Sequence, residues 1–313
     1  MRARLGRTDL LVLSVVLIWA ASFSVVKYAL REMGPLAFSS VRFGSASGIL
    51  LIWAWVTEGK PVIRREDWLR TILVGLTAVG VYQAFFAVGL KYTTASNSSL
   101  MLATIPAWTA MFAVAAGQER IAPLQIMGLC MSFVGVALTI RGGGAGFQLA
   151  WDSVRGDAMT LVAAALSGAS AVLSRRLLAR YSPLRMMSVS MLCGSLFLVV
   201  VSLPEMVAQQ WAHISWGTWL ALAFSAVPAA AVAYVIWFKS IGEIGASRTV
   251  IYNNLIPPVA ILIALTTLGE RLTALQALGA AIVLGGVVLT RFAQMKGLEP
   301  DALVQVAKSD GSG

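Results

Sequence analysis

The sequence predicts an all-α integral membrane protein whose ten transmembrane helices form two inverted five-helix repeats. Hydrophobic residues make up 58% of the chain and charged residues 12%, with a mean hydropathy of +0.80. These values lie far outside the usual range of soluble globular domains. Apolar runs of about 20 residues, the length that crosses a bilayer, recur along the whole chain. The two halves of the chain also resemble each other in sequence.

The ten apolar runs follow one another with little sequence between them. Their predicted limits are 9–29, 36–57, 69–90, 95–117, 123–140, 157–178, 184–203, 216–238, 246–268 and 274–292. The connections hold residues typical of turns outside the bilayer, such as Gly59-Lys60-Pro61, and none is long enough for a soluble domain. Residues 294–313 are polar, which predicts a disordered cytoplasmic tail.

The first apolar run is preceded by arginines, as in a cleaved signal peptide. The run over residues 10–26 exceeds the apolar part of such a peptide, so we interpret it as the first transmembrane helix. Cys130 and Cys193 lie among apolar neighbours, where thiols behave as small hydrophobic groups. The single His213 lies in a connection, which does not fit a metal site. We therefore expect no metal and no cofactor.

Basic residues are unequally divided between the two predicted sides of the membrane. Of the 24 Lys and Arg residues, 17 lie on the side of the N-terminus and seven, Arg42 among them, on the other. Lys and Arg favour cytoplasmic loops. This distribution predicts an inner-membrane protein with both termini in the cytoplasm. The net charge of +10 is therefore not interpreted as a sign of nucleic-acid binding.

An internal repeat explains why ERIAPLQ at 119–125 returns as ERLTALQ at 270–276. Residues 95–139 and 246–290, aligned at an offset of 151, share 14 identities in 45 positions. Near the start of each half an offset of 148 applies, which pairs Asp9 with Asp157 and Pro35 with Pro183. The sequence thus predicts a first repeat at 1–147 and a second at 148–293.

Each repeat holds five spans, and an odd number places the second repeat in the membrane with opposite orientation. Inverted repeats are typical of secondary transporters, because two equivalent halves can exchange inward-open and outward-open arrangements around a central site. The sequence therefore predicts a transporter of a small molecule that works by alternating access. It specifies no oligomeric state and is compatible with a monomer.

The same residues carry a family resemblance. Ten spans in two halves, prolines inside spans four and nine, and Glu-Arg pairs before an amphipathic helix start resemble the EamA-type carriers of the drug/metabolite transporter superfamily. Among these, the chain is most similar to YddG-like bacterial exporters of aromatic amino acids. The resemblance implies export of small organic solutes through a central cavity that spans 3, 4, 8 and 9 help to line.

The prolines of spans four and nine, Pro106, Pro257 and Pro258, are expected to break their helices. Backbone groups freed in this way are tolerated in a membrane only where protein or a water-filled cavity satisfies them. Asn253 and Asn254 lie at the same turn. Intramembrane amides either join helices or mark a substrate pathway, and both interpretations stay open.

Further candidates for substrate contact combine aromatic and polar side chains at intermediate depth. An amino acid needs polar groups for its charged head and apolar or aromatic surface for its side chain. Single aromatic residues near span ends more often belong to the interfacial belt. The deeper candidates are Trp19, Ser22, Tyr82, Gln83, Ser98, Ser99, Tyr234 and Trp237.

The acidic residues all lie in connections or near span ends. Because proton-coupled carriers commonly relay protons through intramembrane carboxylates, facilitated transport is the preferred interpretation, with proton coupling through Asp9 or Asp157 as the alternative. Both carboxylates also suit the first turn of a helix. Glu119 and Glu270 are interpreted as helix boundaries with exposed ion pairs, a gate contact being the alternative.

Two other functional classes are less compatible with the sequence. Membrane enzymes usually show paired carboxylates, histidine clusters or a nucleophile beside a base, and none is visible. A channel would need a ring of charges or a filter loop, which an asymmetric ten-span chain does not offer.

Overall fold

The computed structural model describes residues 7–118, 123–142, 151–244 and 252–290. These residues form helices joined by turns and contain no β-strand. Eight helices are long and apolar enough to cross a membrane, and two shorter apolar helices follow them. In chain order they are α1 Arg7–Ala29, α2 Pro35–Glu58, α3 Arg65–Tyr92, α4 Ala95–Ala115, α5 Pro123–Gly142, α6 Trp151–Leu178, α7 Pro183–Ala208, α8 Trp216–Trp237, α9 Ile256–Thr267 and α10 Ala274–Thr290. The last segment of α8, Ala233–Ile244, continues beyond Trp237.

Most helices follow the apolar runs closely, but α6 and α9 begin at other residues than predicted. Span nine is predicted from residue 246, whereas α9 begins at Ile256 after a 3₁₀ turn, and residues 245–251 lie outside the described part of the chain. The sequence predicts that span six begins at residue 157, whereas α6 begins at Trp151. The helix continues beyond its apolar part, and Trp151 and Asp152 are exposed there. Asp157 is therefore not a first-turn residue, and the interpretation of its carboxylate as a partner of the helix dipole is wrong. Asp9 does lie in the first turn of α1.

The prolines of spans four and nine lie at the start of new helical segments. In α4, a segment Ala95–Leu102 ends at a turn and a second segment begins at Ile105, with Pro106 in its first turn. A 3₁₀ turn at Tyr252–Leu255 precedes α9, and Pro257 lies in the first turn of that helix. A proline in a first turn costs no helical hydrogen bond, because that N–H would have no helical acceptor.

Two helices contain a π-helical segment that hydropathy did not predict. In α3 it covers Leu76–Gly80, and in α8 it covers Ser225–Val232. These helices occupy matching positions in the two halves. A π segment changes the backbone hydrogen-bond offset and is frequent at functional sites. Pro228 lies inside the second segment. This proline is the sequence feature that indicates an irregular helix at this place, since proline disturbs regular helical hydrogen bonding.

Contacts between the two halves organise the bundle. The helix α1 packs against α8 and α9, and its counterpart in the second half, α6, packs against α3 and α4. The remaining helices pair with their own counterparts, α2 with α7 and α5 with α10. The core is therefore shared between the halves.

The paired helices meet at small residues that recur in both halves. The hydroxyl oxygens of Ser47 in α2 and Ser195 in α7 lie 3.3 Å apart, and these residues are related by the offset of 148. Between α5 and α10, a Cβ on Gly135 would lie 2.7 Å from the carbonyl oxygen of Gly279, so the two backbones are in direct contact. Small residues allow such close packing in membranes.

Candidate functional site

Three predicted aromatic residues form one cluster between the two halves. The Trp19 ring of α1 lies 5.6 Å from the Tyr234 ring and 5.2 Å from the Trp237 ring, measured between centroids, and both partners belong to α8. The indole nitrogen of Trp19 donates a hydrogen bond to the carbonyl of Ala229 at 2.9 Å. This carbonyl belongs to the π segment of α8. The π segment thus fixes the orientation of the Trp19 ring.

A second group of rings lies beside the first, on α3 and α1. Tyr82 stacks on Phe86 with centroids 6.1 Å apart, and Phe86 meets Phe23 edge to face at 5.8 Å. Tyr82 also lies within electrostatic range of Tyr234. Together, the two groups supply aromatic surface from α1, α3 and α8.

Some predicted polar residues in this part of the bundle lack hydrogen-bond partners. The side-chain oxygen of Gln83 and the hydroxyl of Ser98 are buried and accept or donate no hydrogen bond among the described residues. Such groups are rare in folded proteins and call for an explanation, for example a site that a ligand or water fills. By contrast, the hydroxyls of Ser22 and Ser99 bond to carbonyls of their own helices.

Arg42 of α2 is a buried charged residue that the sequence interpretation assigned to the outer side of the membrane. It lies within α2, and only 7% of its surface is exposed. Its Nε donates to the carbonyl of Ser225 at 3.1 Å, at the start of the α8 π segment. The phenol groups of Tyr82 and Tyr234 lie close enough to the Arg42 guanidinium to interact with its charge. Its position within an apolar run was the sequence signal that could have identified it.

Asp157 anchors a polar network near the ends of several helices. It accepts a hydrogen bond from the Thr93 hydroxyl and one from the Asn97 amide at 3.1 Å. The oxygen of Asn97 in turn accepts from the Gln276 amide at 3.0 Å. The network joins α3, α4, α6 and α10. Because Thr93 caps the end of α3, the carboxylate lies level with helix ends and away from the middle of the bundle.

Glu270 follows α9 and contacts the first turn of α4 in the other half. Its carboxylate accepts hydrogen bonds from the amides of Ala95 at 2.7 Å and Ser96 at 3.0 Å, and from the Ser96 hydroxyl at 2.6 Å. An anion is stabilised at a helix N-terminus by these amides and by the helix dipole. The expected ion pair with Arg271 is not formed among the described residues, because α4 provides Glu270 with better donors.

A cleft of about 380 Å³ opens beside Glu270. Its lining includes Lys27, Arg31 and Thr93. The ammonium of Lys27 donates to the backbone carbonyls of Leu90 at 2.6 Å and Lys91 at 2.9 Å, at the C-terminal end of α3. A cation is favourable at that end of a helix. Lys27 thus contacts the C-terminal end of α3 and Glu270 contacts the N-terminal end of α4, and both contacts lie on the same side of the bundle.

The opposite end of the bundle contains fewer described candidates. The carboxylate of Asp9 accepts a hydrogen bond from the Tyr252 hydroxyl at 2.8 Å, which joins α1 to the turn before α9. Glu119 lies outside the described residues. Asn253 and Asn254 belong to that turn, and their side chains likewise lie outside the description. Among the described residues, no group of three or more His, Cys, Asp or Glu could hold a metal ion.

Curated relatives match the chain over most of its length. An uncharacterized transporter of Bacillus subtilis, YyaM, is 31% identical over 86% of this chain and 88% of its own. A probable terminal-alkyne amino-acid exporter of Streptantibioticus cattleyicolor is 29% identical, covering 89% and 91% of the two chains. A probable amino-acid metabolite efflux pump of Salmonella typhimurium is 27% identical, covering 90% and 94%.

The fold also resembles a solved one. A crystal structure with 17% sequence identity superposes with a TM-score of 0.65 and covers 92% of this chain and 98% of the other. The EamA-like transporter family matches residues 6–141 and again 154–292, so its sequence pattern occurs once in each half. This is a family of transporters and not of enzymes, and the chain is a multi-pass membrane protein. The chain belongs to the EamA-like transporter family.

Proposed function

We propose that this protein is a facilitative exporter of aromatic or hydrophobic amino acids that works by alternating access. The observation that carries the proposal is the aromatic cluster of Trp19, Tyr234 and Trp237, which lies between the two halves. Aromatic rings offer apolar contact area with defined geometry. Nearby buried polar groups such as Gln83 would orient a charged amino acid head. Two relatives described as amino-acid exporter and amino-acid metabolite efflux pump agree with this substrate class.

Alternating access is supported by the way the halves contact each other. The C-terminal end of α1 meets the C-terminal end of α3 through Lys27, and α6 reaches the same end of α3 through Asp157, the seventh residue of α6. At the C-terminal end of α3, α1 therefore contributes its C-terminal end and the matching helix α6 its N-terminal part. Ten spans in inverted repeats 1–147 and 148–293 would require this arrangement. Residues 294–313, predicted from the sequence as a cytoplasmic tail, lie outside the described residues.

The membrane orientation in this proposal follows from charge. Because Lys and Arg favour the cytoplasmic side, we assign both termini to the cytoplasm and the protein to the inner membrane of the cell. Glu270 and Gln276 then contact α4 at the outer side. These contacts join the two halves and are therefore candidates for the outer gate.

A second candidate, proton-coupled export, is favoured by the burial of Asp157. This carboxylate is 1% exposed, and buried carboxylates in transporters often carry protons. Its bonds to Thr93 and Asn97 also suit a structural role at the helix ends. Since it lies level with these ends, we prefer facilitated transport.

Uptake into liposomes that contain the purified protein tests the proposal. Labelled tryptophan, phenylalanine, methionine and threonine are offered with and without a pH gradient, with protein-free liposomes as the baseline. We expect saturable uptake without the gradient, accelerated by unlabelled substrate inside. Trp19→Ala should reduce it strongly, whereas Trp53→Ala, which removes a ring exposed on the outside of the bundle, should not.

The outcomes separate the two candidates. Uptake that requires the gradient and is abolished by Asp157→Asn or Asp9→Asn would favour proton coupling. A folded protein that takes up none of the four amino acids under either condition would refute the substrate class and leave the family assignment intact.

A further inference from the structure

Arg42 is a buried cation with no carboxylate partner in the described part of the chain. It lies in α2, well inside a helix that crosses the membrane, and is 7% exposed. Among the described residues, no carboxylate lies within ion-pair distance of its guanidinium. A charged side chain inside a membrane is costly unless it has a partner, and such residues mark substrate pathways. The protein therefore maintains a positive charge here that its own described acids do not neutralise.

The contacts of Arg42 leave much of its binding capacity unused. Its Nε donates to the Ser225 carbonyl at 3.1 Å, and its guanidinium carbon lies 4.8 Å from the centre of the Phe43 ring. An arginine side chain has five N–H donors in a planar fork. The single hydrogen bond uses the donor on Nε, so the four donors on the two terminal nitrogens have no partner among the described residues.

The neighbourhood of Arg42 is that of the proposed substrate site. Tyr82 and Tyr234 both lie within electrostatic range of the guanidinium, and Tyr234 is part of the aromatic cluster with Trp19. The buried Ser225, whose carbonyl holds Arg42, has a hydroxyl with no partner among the described residues. A cation with free donors thus lies beside the rings and beside a free hydroxyl.

Comparison of the two halves indicates that the scaffold does not need this charge. At the offset of 148, Ser40 and Val41 match Ser188 and Val189, but Arg42 matches Ser190. The backbone carbonyl of Ser190 lies against Gly75, next to the α3 π segment, whereas the side chain of Arg42 contacts the start of the α8 π segment. The second half makes the equivalent helix contact without a cation.

We propose that Arg42 binds the carboxylate of the transported amino acid, whose side chain then lies against the aromatic cluster. The inference deepens the proposed function and rests on it. Two parallel N–H groups of a guanidinium match the two oxygens of a carboxylate, and such paired bonds are short and strong. A bound carboxylate supplies the missing negative charge. The substrate class is therefore a small molecule with a carboxylate and an apolar or aromatic side chain.

A purely structural role makes a different prediction. If Arg42 only ties α2 to the α8 π segment, a neutral donor at this position can serve the Ser225 carbonyl equally well. Arg42→Gln would then leave the choice between substrates unchanged. Substrate preference within one protein sample therefore distinguishes the two roles.

The first measurement uses the unaltered protein. Labelled tryptophan enters liposomes by exchange with internal tryptophan, and external tryptophan or tryptophanamide competes with it. The amide has the same ring and amino group but no carboxylate. We expect the amide to compete about tenfold less well or worse, since hydrogen bonds to charged groups are stronger than those to neutral ones. Equal competition would overturn the proposal while leaving amino acid transport established.

The second measurement compares the acid with the amide in variants. We expect Arg42→Gln to lose the preference for tryptophan, and Arg42→Lys, which keeps the charge but not the paired donors, to retain part of it. Arg176→Gln, which removes an exposed arginine at the end of α6, is the matched control and should keep the full preference. A full preference in Arg42→Gln would overturn the proposal, and if that variant does not fold, the competition in the unaltered protein decides. If the unaltered protein transports neither compound, the proposed function fails first and this inference with it.

Discussion

Replacing Glu270 by glutamine is expected to loosen the contact between the end of α9 and the start of α4. The carboxylate accepts three hydrogen bonds of 2.6 to 3.0 Å from Ala95 and Ser96. A hydrogen bond to a charged group contributes about 1.5–3 kcal/mol, and a negative charge at a helix N-terminus adds about 0.3–1 kcal/mol. Glutamine keeps one acceptor oxygen but loses the charge and the second acceptor.

The size of the effect follows from this loss. Because Glu270 is half-buried, the lower part of these ranges applies, which gives a loss of about 1–2 kcal/mol. This corresponds to a shift of roughly 5- to 30-fold in the equilibrium ratio between the formed and the broken contact of residue 270 with α4. Amide hydrogen exchange of overlapping peptides that cover the first turn of α4 measures it directly. We expect exchange in this turn to accelerate by a similar factor in Glu270→Gln.

A matched control removes an acid that has no such contact. Asp152→Asn neutralises an exposed carboxylate at the start of α6 and should leave exchange in α4 unchanged. If Glu270→Gln and Asp152→Asn give the same exchange in the first turn of α4, the assignment of Glu270 as its cap is wrong.

Three further changes test the packing, the polar network and the loop after α1. Gly135→Ala should lower stability by about 1–3 kcal/mol in thermal unfolding, because the new Cβ would lie 2.6 Å from a backbone nitrogen of α10. Gly44→Ala, with nothing within 4 Å of the new Cβ, should be neutral or stabilising, and equal losses would contradict the packing argument. Asn97→Ala should cost about 1–3 kcal/mol in the same assay by leaving buried partners unsatisfied, and an unchanged midpoint would count against the network. Hydrogen bonds from the Ser215 backbone and from hydroxyls near it lower the pKa of Glu32. Its stabilising contact is therefore present above the ordinary glutamate pKa of about 4.3 and lost as pH falls through the lowered value. The protection of the loop amides, measured relative to their intrinsic exchange rate at each pH, should therefore decrease below about pH 4, but show no such dependence in Glu32→Gln.

Hydropathy predicts the helices well because the bilayer imposes a length on each apolar run. The second run, 36–57, corresponds closely to Pro35–Glu58. The start of α6 was missed because Trp151 to Gly156 are not apolar enough to count as a span, although they continue the helix. The π segments depend on a change in backbone hydrogen bonding, which hydropathy does not register.

The aromatic part of the candidate site was identified from sequence because rings deep within a span are uncommon enough to notice. Trp19 and Tyr234 are in contact as a result of pairing between α1 and α8, which the repeat alone does not specify. Arg42 was missed because its charge was assigned to a side of the membrane without regard to its depth. The bond from Ser96 to Glu270, 174 positions away, depends on tertiary structure and has no local sequence signal.

The contact between Ser47 and Ser195 has a consequence for how such a chain assembles. Equivalent positions can meet only near an axis that exchanges the two halves, so each half there presents the same kind of surface to the other. The helix α2 would find in a second, oppositely inserted copy of its own half nearly the partner that it finds in α7. In the inverted arrangement that we propose, the interior of this protein would be an antiparallel dimer interface enclosed within a single polypeptide. On that proposal, two separately synthesised halves that insert in opposite directions would hold the surfaces needed to rebuild it.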